Sequence, residues 1–189
     1  GRTDDAALPR LQAKLGAARQ LARETAEANL DSAAQGRLIL EFRAALGQLP
    51  IGSLVIAADL GVFARLSLAR LRRRARRRAR AAVDFAPVHL HALRIALKEL
   101  RYAVEFFAPL FPGKAVQRYL RQMTRAQDAL GFLQDLEVAR GRLGDWVNED
   151  PALGVAAGFV LGWHAPREAD ARARVLSDCE RVLWGKTPW

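Results

Sequence analysis

Between residues 91 and 107, apolar and nitrogen-bearing side chains sort onto opposite sides of a helical repeat. Leu93, Leu97, Leu100, Val104 and Phe107 recur three or four positions apart. His91, Arg94, Lys98 and Arg101 recur at separations that each approximate whole turns at about 100° per residue. One helix therefore carries a face to bury and a separate cationic face to display. Glu99 and Glu105 are the acids nearby, and Glu99 points away from the cationic stripe.

The rest of the chain obeys the same period. Ala, Leu and Arg dominate, β-branched residues are sparse, and no window alternates strictly between apolar and polar, so an all-α chain is expected. Pro9, Asp31 with Ser32, Pro50, Asp84 to Pro87, Pro109, Pro112 with Gly113, Glu149 to Pro151, and Pro166 break the pattern. The breaks predict about seven helices, near 8–30, 34–48, 53–83, 87–109, 112–146, 151–164 and 166–184. With 189 residues, 51% of them apolar, the chain can build a genuine core.

Charge is distributed unevenly. Residues 65–80 hold nine arginines and no acid, and taking these nine from the net +10 leaves only +1 for the remainder. Such a concentration points to a polyanionic partner: nucleic acid, an anionic membrane or inorganic polyphosphate. Leu71, Ala75, Ala79 and Ala82 keep a thin apolar seam through the segment, so it can pack as a helix while arginines project on its far side. The candidates there are Arg72, Arg73, Arg76, Arg77 and Arg80. Self-repulsion in such a row destabilises it, which a bound anion would offset. A third group, Arg118, Arg121 and Arg125, shares one face of the following long helix, with Asp128 at its end. Arg10, Lys14, Arg19 and Arg23 fall on two different faces and argue less.

Arginine suits phosphate because its planar guanidinium offers several fixed donors and keeps its charge, while lysine acts as a point charge. Catalysis has little footing. Three histidines and one cysteine make no zinc set, no Gly-rich loop leads into Lys-Ser or Lys-Thr, and Asp135 and Glu137 fall on different helix faces. No enzyme activity and no required cofactor or metal are expected, although Mg²⁺ or Ca²⁺ could accompany a phosphate ligand. His91 fits either a titrating anion contact or a cap at a helix start, and His89 and His164 read as structural. Cys179 has no partner within the chain, which suits a reducing cytoplasm. The longest apolar run, about 153–163, is too short to span a membrane and holds three glycines. Those glycines, Gly154, Gly158 and Gly162, recur every four residues and predict close approach by a neighbouring helix. The chain opens on Gly1 rather than Met, as a fragment or a processed chain would.

A weak internal repeat links the two halves. Gln12-x-x-Leu15-Gly16-x-x-Arg19-Gln20 superimposes on Gln127-x-x-Leu130-Gly131-x-x-Gln134-Asp135. Each copy should mark the same helix in one of two related bundles. Applied to the His91 helix, the same offset falls before residue 1, so the first bundle is expected to lack its opening helix.

The run from Leu90 through His91, Arg94, Lys98, Arg101 and Tyr102 to Glu105, followed by Gln127-Asp128-x-Leu130-Gly131-x-x-x-Asp135, resembles the conserved histidine α-helical domain, called CHAD. The motif-level resemblance covers about residues 90–140, and the Leu15-Gly16 copy extends it weakly toward the N-terminus. It implies two pseudo-symmetric antiparallel helical bundles, divided at 1–84 and 85–189, with a basic surface that binds inorganic polyphosphate. Members occur alone or behind a triphosphatase domain, and some associate with storage granules. The basic motif carries over to His91, Arg94, Lys98 and Arg101, with the element from Gln127 to Asp135 as a packing and helix-orienting feature rather than a ligand contact. The first copy departs from the pattern, with Gln20 where an acid is expected, and the triphosphatase signature Glu-x-Glu-x-Lys is absent.

Together these expectations describe a cytoplasmic, non-catalytic polyphosphate-binding module with no membrane contact. It could be associated with granules, assist a triphosphatase, or pair with a second copy through its incomplete first bundle. Non-specific nucleic-acid binding is the competing expectation. It is weakened by the lack of any aromatic between Phe63 and Phe85 on which a base could stack.

Overall fold

A computed structural model describes residues 6–48 and 59–189. Its six α-helices are α1 (Ala7–Leu30), α2 (Ala33–Gly47), α3 (Leu60–Ala81), α4 (Pro87–Phe107), α5 (Gly113–Glu149) and α6 (Gly154–Trp184), and no strand occurs among the described residues. The all-α expectation holds. The start expected at 53 for the third helix and the break at Pro50 lie outside the described residues.

Local chemistry sets most boundaries. Ser32 Oγ accepts from the Gln35 amide at 3.3 Å and starts α2, and Asp59 Oδ1 accepts from the Gly61 amide at 2.7 Å at the start of α3. Before α4, Asp84 Oδ1 accepts from the Ala86 amide at 2.9 Å and Pro87 occupies the first turn, where its missing N–H is harmless. That hydrogen bond from the Ala86 N–H, with help from His89, holds the exposed Asp84 carboxyl below its usual range. Phe85, between them, adopts a left-handed backbone with φ of 56°.

Pro166 does not end a helix. The two segments expected at 151–164 and 166–184 form one continuous α6 with the proline inside it. The missing N–H and the crowding of the proline ring cost about 3 kcal/mol in a helix interior. Packing outweighs that penalty, because the inward positions keep one phase across it. His164 packs against Phe132 and the half-buried Glu168 pairs with Arg140, ahead of buried Ala171, Val175, Cys179 and Val182. The close-packing expectation for the glycine stripe fails. Among the described residues, a Cβ on Gly158 or Gly162 would meet nothing within 4 Å, and one on Gly154 would touch Val147 at 3.9 Å.

The chain divides into two units, one of Gly1–Ala58 with Trp146–Gly158 and one of Asp59–Asp145 with Phe159–Trp189. In the second, α3, α4, α5 and α6 surround one core containing Leu68, Leu93, Leu97, Leu100, Met123 and Leu183. This differs from the expected division at 84 and 85, which put the arginine-rich helix with the N-terminal half. Fusion of two expected helices into α6 leaves three for the C-terminal bundle, and α3 takes the fourth place. Leu68 and Ala75, both wholly buried, fix it there.

In the first unit, Lys14 bonds Glu149 at 2.5 Å, Arg10 bonds Asp150 at 3.2 Å and Arg23 bonds Glu27 at 2.8 Å, so three of the four N-terminal cations are committed to intramolecular pairs. Helix α2 has no buried residue, and Leu38, Ile39, Leu40 and Phe42 are all exposed. The repeat copies differ accordingly: Leu130 is 1% exposed in the second unit, while Leu15 is 55% exposed in the first.

Candidate functional site

Helices α4 and α6 both run antiparallel to α5 in the second unit. On one side Arg101 reaches Gln127 and His91 reaches Gln134. On the other, Tyr119 bonds the carbonyl of Val182 and Phe132 meets His164. The outer ridge of α5 is therefore flanked by a groove on each side.

The α4–α5 groove, of about 490 Å³, is lined by Arg94, Lys98, Arg101 and Tyr102 from α4. From α5 come Gln127, Asp128, Gly131, Phe132 and Asp135, and Arg167 reaches in from α6. The Arg101 guanidinium is oriented by two bonds, Nε donating to Glu105 at 2.8 Å and Nη1 donating to Gln127 Oε1 at 3.0 Å. Gln127 thus accepts from a stripe cation, while Glu105 partly neutralises the stripe. The Nε2 of Gln127 is buried with no hydrogen-bond partner among the described residues. Gly131 presents bare backbone to the groove, and a Cβ there would meet nothing within 4 Å among the described residues.

The α5–α6 groove, of about 500 Å³, is lined by Arg125, Asp128, Ala129 and Phe132 from α5 and by Arg167, Ala171, Arg174, Ser177, Asp178 and Arg181 from α6. Asp128, Phe132 and Arg167 border both grooves. Among the described residues, Arg94, Lys98, Arg125 and Arg167 form no ion pair, whereas Arg174 pairs with Asp170 and Arg181 with Asp178. Unpaired cations beside a concave surface retain their full attraction for an anion.

The structure brings Arg94, Lys98, Arg101 and Arg125 to the two grooves. It does not bring the others. His91 is exposed in the second turn of α4, too far from the helix start to cap it, and its Nδ1 lies 3.3 Å from Gln134 Oε1. Arg118 and Arg121 stay exposed on α5 outside both linings.

Arg72 and Arg76 correct the expectation of a ligand-facing arginine row. Arg72 Nη2 donates to the Gly185 carbonyl at 2.5 Å and Arg76 Nε to the Leu183 carbonyl at 2.6 Å. These carbonyls belong to the end of α6, where orphan acceptors and the negative end of the helix dipole attract cations. Burial lowers the pKa of Arg72, as expected for a guanidinium drawn into the structure. Arg74 pairs with Glu99 at 2.7 Å. Arg73, Arg77 and Arg80 remain exposed, and Arg80 borders a separate apolar cavity with Cys179 and Trp184.

Sequence reasoning missed Arg167, Arg174 and Arg181. Their seven-residue spacing signals one shared face, but Glu168, Asp170, Asp178 and Glu180 balance the local charge and hide it from composition. Among the described residues, no group of three or more His, Cys, Asp or Glu is placed to hold a metal, and no helix is long and apolar enough to cross a membrane.

The family model of the CHAD domain matches residues 1–144. No curated protein matches the chain.

Proposed function

Because this chain belongs to the CHAD family, we propose that the grooved face of its four-helix unit binds inorganic polyphosphate without catalysing a reaction on it. One observation carries this reading: Arg94, Lys98, Arg101 and Arg167, from two different helices, line a single groove. A flexible string of phosphates can contact several such groups at once, gaining a charge-assisted hydrogen bond at each. The open groove does not demand a ligand of fixed shape, as a duplex would be. No metal is assigned a role, and Asp128 and Asp135, which form no ion pair among the described residues, space the ligand along the groove rather than ligate.

Competition tests the reading. Long-chain polyphosphate is titrated into the protein by calorimetry, with duplex DNA as competitor at equal phosphate concentration. Polyphosphate is expected to bind and to resist displacement. Displacement by DNA would favour a general nucleic-acid binder, and phosphate release during incubation would replace the binding module with an enzyme.

A further inference from the structure

We propose that the α5–α6 groove is a second phosphate lane, continuous with the α4–α5 groove across the Phe132–Arg167 ridge, so that the protein selects linear polyphosphate long enough to fill both. The inference rests on the polyphosphate reading above and adds chain-length selection by residues beyond the family-matched 1–144.

Continuity comes from shared walls. Asp128, Phe132 and Arg167 line both grooves, and the Arg167 guanidinium carbon lies 4.4 Å from the Phe132 ring centroid, directly on the divide. A ligand leaving Arg94, Lys98 and Arg101 meets Arg167 next and then has Arg125, Arg174 and Arg181 ahead of it. Across the combined lining, seven cations face three carboxylates: Asp128, Asp135 and Asp178.

Spacing suits an extended chain. At about 1.5 Å per residue, Arg167, Arg174 and Arg181 stand roughly 10 Å apart along α6, on one face because seven residues fall within about 20° of two turns. Arg94 and Arg101 span a similar roughly 10 Å along α4. At the far end of the lane Arg181 meets the buried Asp178 at 3.3 Å. Neither groove encloses its contents, so each alone should bind weakly. One molecule occupying both gains from the high effective concentration of its second half at the second groove. A short phosphate chain cannot exploit that gain.

Calorimetric titration of the full chain with tripolyphosphate and with long-chain polyphosphate provides the test. The probes are applied to wild type, Arg94→Ala/Lys98→Ala and Arg174→Ala/Arg181→Ala. Either double variant should weaken long-chain binding about tenfold or more, as expected when a linked second contact is lost. Each should leave the tripolyphosphate affinity within about threefold while its stoichiometry falls from two to one, since the intact groove still binds. If the α6 variant leaves long-chain affinity unchanged while the α4 variant reduces it, the second lane is refuted and the polyphosphate reading survives. If wild type binds neither probe, the polyphosphate reading itself fails. Should loss of Arg181 unfold the protein, Arg174→Glu replaces the pair. Its partner Asp170 is exposed, and the reversed charge should reproduce the long-chain loss.

Discussion

The Arg167 guanidinium lies over the Phe132 ring, 4.4 Å from guanidinium carbon to centroid, and holds one cation on the divide between two basic grooves. A cation over an aromatic face is worth about 0.5–1 kcal/mol at an exposed site, enough to favour one orientation while leaving the N–H groups available. Arg167→Ala should weaken long-chain polyphosphate binding by about tenfold, or ~1.4 kcal/mol. Arg118→Ala, which lines neither groove, should change it by less than about twofold. Isothermal titration of both variants decides whether position on the divide matters more than charge alone.

Gly131 offers a steric test. A Cβ there would meet nothing within 4 Å among the described residues, so a longer side chain starts out into the α4–α5 groove. Gly131→Leu should therefore preserve or raise the melting temperature, since glycine in a helix interior costs roughly 0.5–1 kcal/mol relative to alanine. Binding should nevertheless fall sharply. A destabilised Gly131→Leu variant would place this position against a neighbour instead.

Arg72 and Arg76 should behave as structural residues. Removing either leaves carbonyls at the end of α6 without their cationic donor, at a cost of about 1–3 kcal/mol each. Arg72→Ala and Arg76→Ala should lower the thermal midpoint by several degrees. The exposed Arg73→Ala and Arg77→Ala should stay within about 0.5 kcal/mol of wild-type stability. Thermal unfolding followed by circular dichroism separates the two pairs.

Alkaline pH should titrate two weak acids buried in the core, Tyr119 and Cys179. Burial pushes the Tyr119 phenol and the Cys179 thiol up to about 12, from ordinary values of 10.0 and 9.0, despite the nearby positive charge of Arg72 and Arg76 at the phenol. A group whose pKa is higher in the folded state binds its proton more tightly there. Its stabilising contribution is complete below the unfolded value and is lost as pH climbs toward the folded one. Stability should thus decline from about pH 9 toward about 12. Tyr119→Phe should show a shallower decline above pH 10, measured as midpoint denaturant concentration against pH. In the native protein Cys179 should also resist thiol reagents at neutral pH and react only on unfolding.

Salt dependence counts the contacts. If polyphosphate obeys the counterion-release behaviour of nucleic acids, log affinity should fall linearly with log salt, with a slope that grows with the number of phosphates neutralised. Arg94→Ala/Lys98→Ala should flatten that slope by about one to two units. An unchanged slope with weaker binding would mean that the substitutions distort the groove rather than remove charge contacts.

Local chemistry made much of this architecture legible. The expected segments 8–30, 34–48 and 87–109 lie within a few residues of α1, α2 and α4, because Ser32, Asp84 and Pro87 act on neighbouring backbone. The cationic face of α4 was also legible from its period, and Arg94, Lys98 and Arg101 do line one groove. Nonlocal packing was not. Nothing near Pro166 announces that the inward phase continues through it, and nothing near Arg72 or Arg76 identifies acceptors more than a hundred positions away. The arginine run was conspicuous in composition, yet two of its members serve the end of α6. Arg167, Arg174 and Arg181 were hidden among acids of equal number to their local cations.

The assignment of Trp146–Gly158 to the N-terminal unit gives the chain an interleaved order, since Phe159–Trp189 then returns to the four-helix unit. Neither unit corresponds to a contiguous stretch of polypeptide. A cut after Ala58 would release the first two helices without their other segment, and the remainder would keep that segment, the end of α5 and the start of α6, as an orphaned excursion. Dissection by simple truncation would thus compromise both parts, and separating them cleanly calls for bridging Asp145 to Phe159 with a designed turn.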